Sequence, residues 1–248
     1  MFCHYTFKSD RFFLSRNVLI SQGHEWTEQR RFALRRLRDF GLGKSTMEEL
    51  IHEEIRQLFE QLDKQLNQPL KMSLIFNVSV VNALWSLLTG SRLALDDPRL
   101  QDLVQKIDQM VKDPSLAILN IIPWARHIAP EWSCWNHVKK VFFGVKSLVT
   151  DKIKEHEVNY KEDIKDDPRD FIDAYLNQIY DDSTKGTSFH GNLGHQNLEC
   201  VLLDLMLAGI ETTSTALTWS SIFMIRYPHV QQKVQDEIFS QVPSFSLD

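Results

Sequence analysis

Apolar residues recur along this chain at steps of three and four, the spacing that places them on one face of an α-helix. The longest such run is residues 198–224, LECVLLDLMLAGIETTSTALTWSSIFM. Leu198, Leu202, Leu205, Gly209, Thr212, Ala216, Trp219 and Phe223 make one stripe, and Leu203, Leu207, Ile210, Leu217 and Met224 make another. A helix apolar all round is a buried helix, so the pattern predicts one long central helix with other elements packed around it. It is a poor membrane span. Glu199, Asp204 and Glu211 interrupt it, and its uncharged part from Thr212 to Ile225 falls short of the ~20 apolar residues a bilayer needs.

Shorter helices precede it. The stretch 25–38, EWTEQRRFALRRLR, puts Trp26 and Arg30 on one face, four residues apart. Gly41 and Gly43 stop this helix. Ser45 with Glu48 reads as a capping box for the next, which carries Met47, Leu50, Ile51, Ile55, Leu58 and Leu62. Leu74, Val78, Val81, Trp85 and Leu88 mark another, ending at Gly90. Asp97 caps a helix whose first residue is Pro98. The stretch 117–135 opens at Ala117, closes at Trp135 and is apolar and loop-like, with Pro123, Trp124, Pro130 and Trp132. A long amphipathic helix follows over 136–156. Pro168 is expected to open a shorter one through Phe171, Ile172, Tyr175 and Ile179, and residues 181–194 read as a polar loop. Pro228 opens the last helix. No segment alternates as a strand does, so the expected fold class is all-α, with 1–248 forming a single partial domain around one long helix.

The middle of the central helix breaks local rules. Gly209 costs roughly 1 kcal/mol against Ala in a helix interior. Glu211, Thr212, Thr213, Ser214 and Thr215 then place a carboxylate and hydroxyls where core is expected. The Thr212 hydroxyl can compete for the carbonyl of Ala208, four residues back. A local bulge or groove at 208–212 is therefore predicted. Two readings stand at this point: a functional site, since rule violations cluster where function lies, or a threonine-rich packing face with Glu211 paired to an arginine.

Composition narrows the classes. A hydrophobic share of 43%, a charged share of 25% and a net charge of −5 suit a globular protein and argue against a general nucleic-acid binder. Cys3, Cys134 and Cys200 are far apart and include no CxxC, which suggests reduced thiols rather than a disulfide frame or a zinc site. No apolar leader follows Met1, so no signal peptide or anchor is expected in these residues. The nine histidines form no obvious ligand set, and each is expected to be an ordinary surface or packing residue.

AGIETTS, residues 208–214, resembles the oxygen-activation motif of the cytochrome P-450 haem-thiolate monooxygenases. The pattern W-x-x-x-R followed by RFALRRLRDFGLGK, and YPHVQQKVQDEI near the other end, resemble the animal microsomal, family-2-like subgroup in order and spacing. The resemblance implies a haem cofactor, electrons from NADPH through a cytochrome P-450 reductase, and an apolar small-molecule substrate. It implies that Trp26 and Arg30 hold a haem propionate, and that the exposed arginines of that helix face the reductase. It implies catalytic roles for Thr212 in hydrogen-bonding oxygen and Glu211 in proton delivery. Ala208 and Gly209 are expected to let haem and oxygen approach, and Leu205, Ile210 and Thr213 to line the substrate pocket. The stretch from Ala117 to Trp135 matches a roof over the active site that rests on the membrane, and a full-length member is expected on the cytoplasmic side of the endoplasmic reticulum. The family's cysteine loop for iron and the E-x-x-R pair it carries on a later helix are not matched in these residues, so no metal ligand is assigned and the chain by itself is expected to be inactive. The alternative reading is a non-catalytic truncated helical protein that retains reductase- or membrane-contact surfaces.

Overall fold

Helices form where the 3.6-residue pattern runs, and most end at the capping residues the sequence offers. The computed structural model describes residues 22–66, 68–94, 97–115, 121–122, 124–133 and 135–241. In chain order the helices are α1 (His24–Asp39), α2 (Ser45–Lys64), α3 (Met72–Thr89), α4 (Pro98–Lys112), the single turn α5 (Ala125–Ile128), α6 (Trp135–Val158), α7 (Phe171–Tyr180), α8 (Gly191–Arg226) and α9 (Pro228–Gln241). Short 3-10 turns occupy Glu162–Lys165 and Asp182–Thr184. The described residues contain no strand, so the all-α expectation holds.

Several ends form as predicted. Gly90 closes α3 in the left-handed region at φ 61°, and its N–H donates to the Ser86 carbonyl at 2.9 Å. Asp97 accepts the Arg99 N–H at 2.8 Å in the first turn of α4. Two starts differ. Ser45 is already helical, Lys44 is the cap residue and no side-chain cap bond forms, so the Ser45–Glu48 capping box is absent. Pro168 lies ahead of α7, which begins at Phe171. The cap is Asp170, whose carboxylate accepts the Asp173 N–H at 3.0 Å. An acceptor on the cap residue supplies what a proline cannot, a partner for an otherwise unpaired N–H.

The core lies between α3, α6, α7 and α8, with α4 across α3 and α6, α2 against α3, and α1 over α7 and α8. Val81, Leu88, Val145, Phe171, Ile172, Tyr175, Leu176, Leu198, Val201, Met206 and Ile210 are wholly or almost wholly buried there. Charges on the central helix are matched at the core edge: Lys146 pairs with Glu199 at 2.8 Å, and the Thr150 hydroxyl donates to the same carboxylate.

The burial of α8 departs from the expectation. Its first half is core, but its second half presents Leu217, Trp219, Ile222, Phe223 and Ile225 at the surface. Among the described elements α3, α6, α7, α1 and α9 are those that pack on it. Apolar periodicity states that a face prefers burial, and a second element must still be there to bury it.

Candidate functional site

Two groups of predicted residues are brought together on separate elements. The first is on α1. Gln29, Ala33 and Leu37 form its buried stripe at steps of four. Gln29 accepts the Tyr175 hydroxyl at 2.6 Å and donates to the Ser188 hydroxyl at 2.9 Å. Asn197 on α8 donates to the Ser188 carbonyl at 2.8 Å and to Glu25 at 3.0 Å. Burial raises the Tyr175 phenol well above its ordinary range, despite the opposing bond to Gln29, so it stays a neutral donor. Phe32 packs edge-on against Tyr175 with ring centres 5.1 Å apart. This lock fixes the rotation of α1, and on the flank of the buried stripe Arg30 lies over the Trp26 indole, 5.5 Å from the ring centre. Arg30 is exposed, as are Arg31, Arg35 and Arg38, so their positive charge faces solvent.

The second group is on α8. Ala208 and Thr212 are exposed and Glu211 is half-buried. The Thr212 hydroxyl donates to the Ala208 carbonyl at 2.9 Å, the bond read from the sequence. The predicted bulge is nonetheless absent, and α8 runs as regular helix from Gly191 to Arg226. A threonine bonded to the carbonyl one turn back can share an acceptor that already serves the helix ladder, so the ladder need not open. Glu211 accepts the Thr215 hydroxyl at 2.8 Å, one turn along the same helix.

The substrate-lining set is divided. Thr213 is exposed, Leu205 is half-buried against the core, and Ile210 is fully buried within it. Gly209 does not lie open either: a Cβ placed on it meets Leu84 Cδ2 of α3 at 2.8 Å. The two groups also meet α8 at different heights. Glu25 touches Asn197, whereas Thr212 lies about 15 residues, or about 22 Å, further along the helix.

Part of this chemistry fits iron protoporphyrin. The exposed guanidinium of Arg30 beside an indole suits a propionate carboxylate. The small exposed Ala208 with Thr212 one turn on leaves a face that a flat group can approach. Cys200 is not placed to ligate an iron opposite Thr212. It is buried on the same helix, about 12 residues or about 18 Å from Thr212. Cys3 and Cys134 lie outside the described residues.

One cluster was not foreseen. His156 is buried and bonds the Lys152 carbonyl through Nδ1 at 2.8 Å and Asp170 through Nε2 at 2.8 Å. Arg169 holds Asp173 through two bonds at 2.6 and 3.0 Å. Asp170 and Asp173, three apart before an apolar run, carry the cap signal in sequence, but nothing local links them to His156.

Comparison with known proteins gives the relationship. A family model described as Cytochrome P450 matches residues 4–246. Cytochrome P450 2J2 of Homo sapiens is 35% identical over 235 residues, covering 92% of this chain and 45% of that protein. Cytochrome P450 2L1 of Panulirus argus is 33% identical over 237 residues, with 93% and 47% covered. Cytochrome P450 2B4 of Oryctolagus cuniculus is 33% identical over 234 residues, with 92% and 46% covered. The chain thus spans about half the length of the curated relatives it matches.

Proposed function

The chain belongs to the cytochrome P450 family, and from that premise we propose that it supplies the oxygen-side and propionate-side residues of a haem-dependent monooxygenase. The substrates are apolar small molecules, and the electrons come from NADPH through a reductase. The observation that carries the reading is the juxtaposition on one turn of α8 of exposed Ala208, exposed Thr212 and the carboxylate of Glu211.

Haem, when bound, supplies the oxygen chemistry. Arg30 would hold a propionate by charge-assisted hydrogen bonds, with the Trp26 ring orienting the guanidinium. Thr212 works from the open face. Its proton goes to the Ala208 carbonyl, so the hydroxyl oxygen accepts from the ligand side. Donation to that side requires the Ala208 bond to be given up, and the hydroxyl would then be reprotonated from solvent, relayed by the carboxylate of the adjacent Glu211. The test is Thr212→Ala in a full-length protein that carries this segment. Haem content stays unchanged, while product formed per nicotinamide oxidised falls, by up to about 10²-fold if proton delivery is lost. Unchanged product per nicotinamide sinks the role.

Trp26 and Arg30 give a second test. Arg30→Leu is expected to lower haem retention after dialysis, and Arg35→Leu, further along the exposed side of the same helix, to leave it intact. Equal haem content in the two variants removes Arg30 from the cofactor site.

The full-length protein is proposed to sit on the cytoplasmic side of the endoplasmic reticulum membrane. Around the turn α5, Ile121 (78% exposed), Trp124, Ile128 (75%) and Trp132 offer apolar side chains to such a surface. Residues 117–120, Pro123 and Cys134 of that stretch lie outside the described residues. The other exposed arginines of α1, Arg31, Arg35 and Arg38, are proposed to meet the reductase.

A further inference from the structure

A glycine inside a helix asks for a reason, because alanine is favoured there by roughly 1 kcal/mol. Within the AGIETTS motif the reason read from the sequence was approach of haem and oxygen. The structure gives another. The position a Cβ would take on Gly209 lies 2.8 Å from Leu84 Cδ2, a separation that real Cβ contacts essentially never show. Leu84 is half-buried on α3 and packs against the core. Its helical neighbours Val81 and Leu88, three and four residues away, are fully buried, so Leu84 has little room on the core side and can yield only toward its exposed side. On α8 the residue after Gly209 is Ile210, also fully buried. Gly209 thus lies where the central helix meets α3, the element it packs against most extensively.

We infer that Gly209 is the seat of Leu84, and that Leu84 is a positioning residue that sets the height and rotation of the α8 turn presenting Thr212. The link is geometric. Thr212 is three residues from Gly209, less than one turn, and its hydroxyl is bonded to Ala208, the neighbour of Gly209. A side chain at position 209 must displace Leu84 or lift this turn from α3. Lifting moves Ala208 and Thr212 together, and a proton-transfer geometry tolerates little of that. The catalytic half of the inference rests on the proposed role of Thr212. The packing half does not.

The test is a double-mutant cycle in a full-length, haem-loaded protein that carries this segment, using Gly209→Ala, Leu84→Ala and both together. Thermal unfolding and product formed per nicotinamide oxidised are measured for each. Helix propensity alone predicts that Gly209→Ala raises the melting temperature. The seat predicts that it lowers it in the wild-type background and raises it in the Leu84→Ala background. A rise in both backgrounds overturns the seat. Should Gly209→Ala fail to fold, the double variant must fold, and its failure also overturns the seat. The positioning role predicts that Gly209→Ala lowers product per nicotinamide several-fold, and that Leu84→Ala alone, which empties the seat, lowers it too. If the sign of the melting shift reverses as stated while Gly209→Ala keeps the wild-type product ratio, Leu84 packs without positioning and the inference fails. Thr212→Ala, run beside these, separates the two failures: if it too keeps the wild-type ratio, the proposed role of Thr212 has failed rather than the seat.

Discussion

Asp170→Ala is expected to lower the stability of the protein by about 3–5 kcal/mol, the range for removing one partner of a buried ion pair. Asp170 is 3% exposed and His156 is 5% exposed. Two bonds converge on the one carboxylate. It accepts from His156 Nε2 at 2.8 Å, and it caps α7 by accepting the Asp173 N–H at 3.0 Å. Alanine removes the cap, worth about 1 kcal/mol, and leaves buried His156 without its hydrogen-bonded carboxylate, Asp173 being the negative charge that remains nearby. Asp170→Asn separates the two effects, because asparagine still caps but carries no charge. Urea unfolding of the three proteins measures the difference. A loss below about 1 kcal/mol for alanine would show that the pair adds little beyond the cap.

The same pair gives the stability a pH dependence of definite sign. Burial works to lower the His156 pKa, but the bond to Asp170 and its negative charge outweigh it, so the net shift is upward from 6.5. Both ring nitrogens face acceptors, a carbonyl and a carboxylate, which only the doubly protonated ring can satisfy. A histidine with a raised folded-state pKa adds stability that is complete below pH 6.5. That stability is lost as pH climbs through the folded-state value. His156→Gln is therefore expected to differ most from wild type below pH 6.5, with the gap narrowing at higher pH.

Most local signals were legible in the sequence, and contacts across distance were not. The order of the helices, Gly90 as the stop of α3, Asp97 as the cap of α4 and the Thr212–Ala208 bond all depend on residues within one turn of each other. Side-chain spacing decides such features before any packing occurs. The lock on α1 joins Gln29, Tyr175, Ser188 and Asn197, and no periodicity marks residues so far apart as partners. His156 was expected to be ordinary for the same reason, since its carboxylate partner is on the next helix. The pairing of Trp26 with Arg30 was legible because four residues separate them. The absent bulge has the opposite origin: the local threonine signal is present, but the Thr212 hydroxyl shares the Ala208 carbonyl without opening the helix ladder.

Ile210→Ala is expected to cost about 2–5 kcal/mol of stability, the range for truncating a large aliphatic side chain in a core. From its place in the motif Ile210 was expected to line the substrate pocket, and the structure gives it no exposed surface at all. It belongs to the cluster that includes Leu88, Tyr175, Leu202 and Met206. The Ser214 hydroxyl donates to its carbonyl at 2.7 Å, so the turn around it is tied to the next one. Removing its side chain leaves a space that the packed helices can close only in part, and the cost grows with what stays open. Thr213→Ala serves as the contrast. Thr213 is exposed three residues on, and its truncation is expected to stay within about 0.5 kcal/mol. Both variants are made and their unfolding midpoints compared with no substrate present. A core residue lowers the midpoint in that condition, whereas a residue whose only contact is substrate leaves it unchanged and alters ligand affinity alone. An Ile210→Ala midpoint equal to that of Thr213→Ala would return Ile210 to the pocket wall.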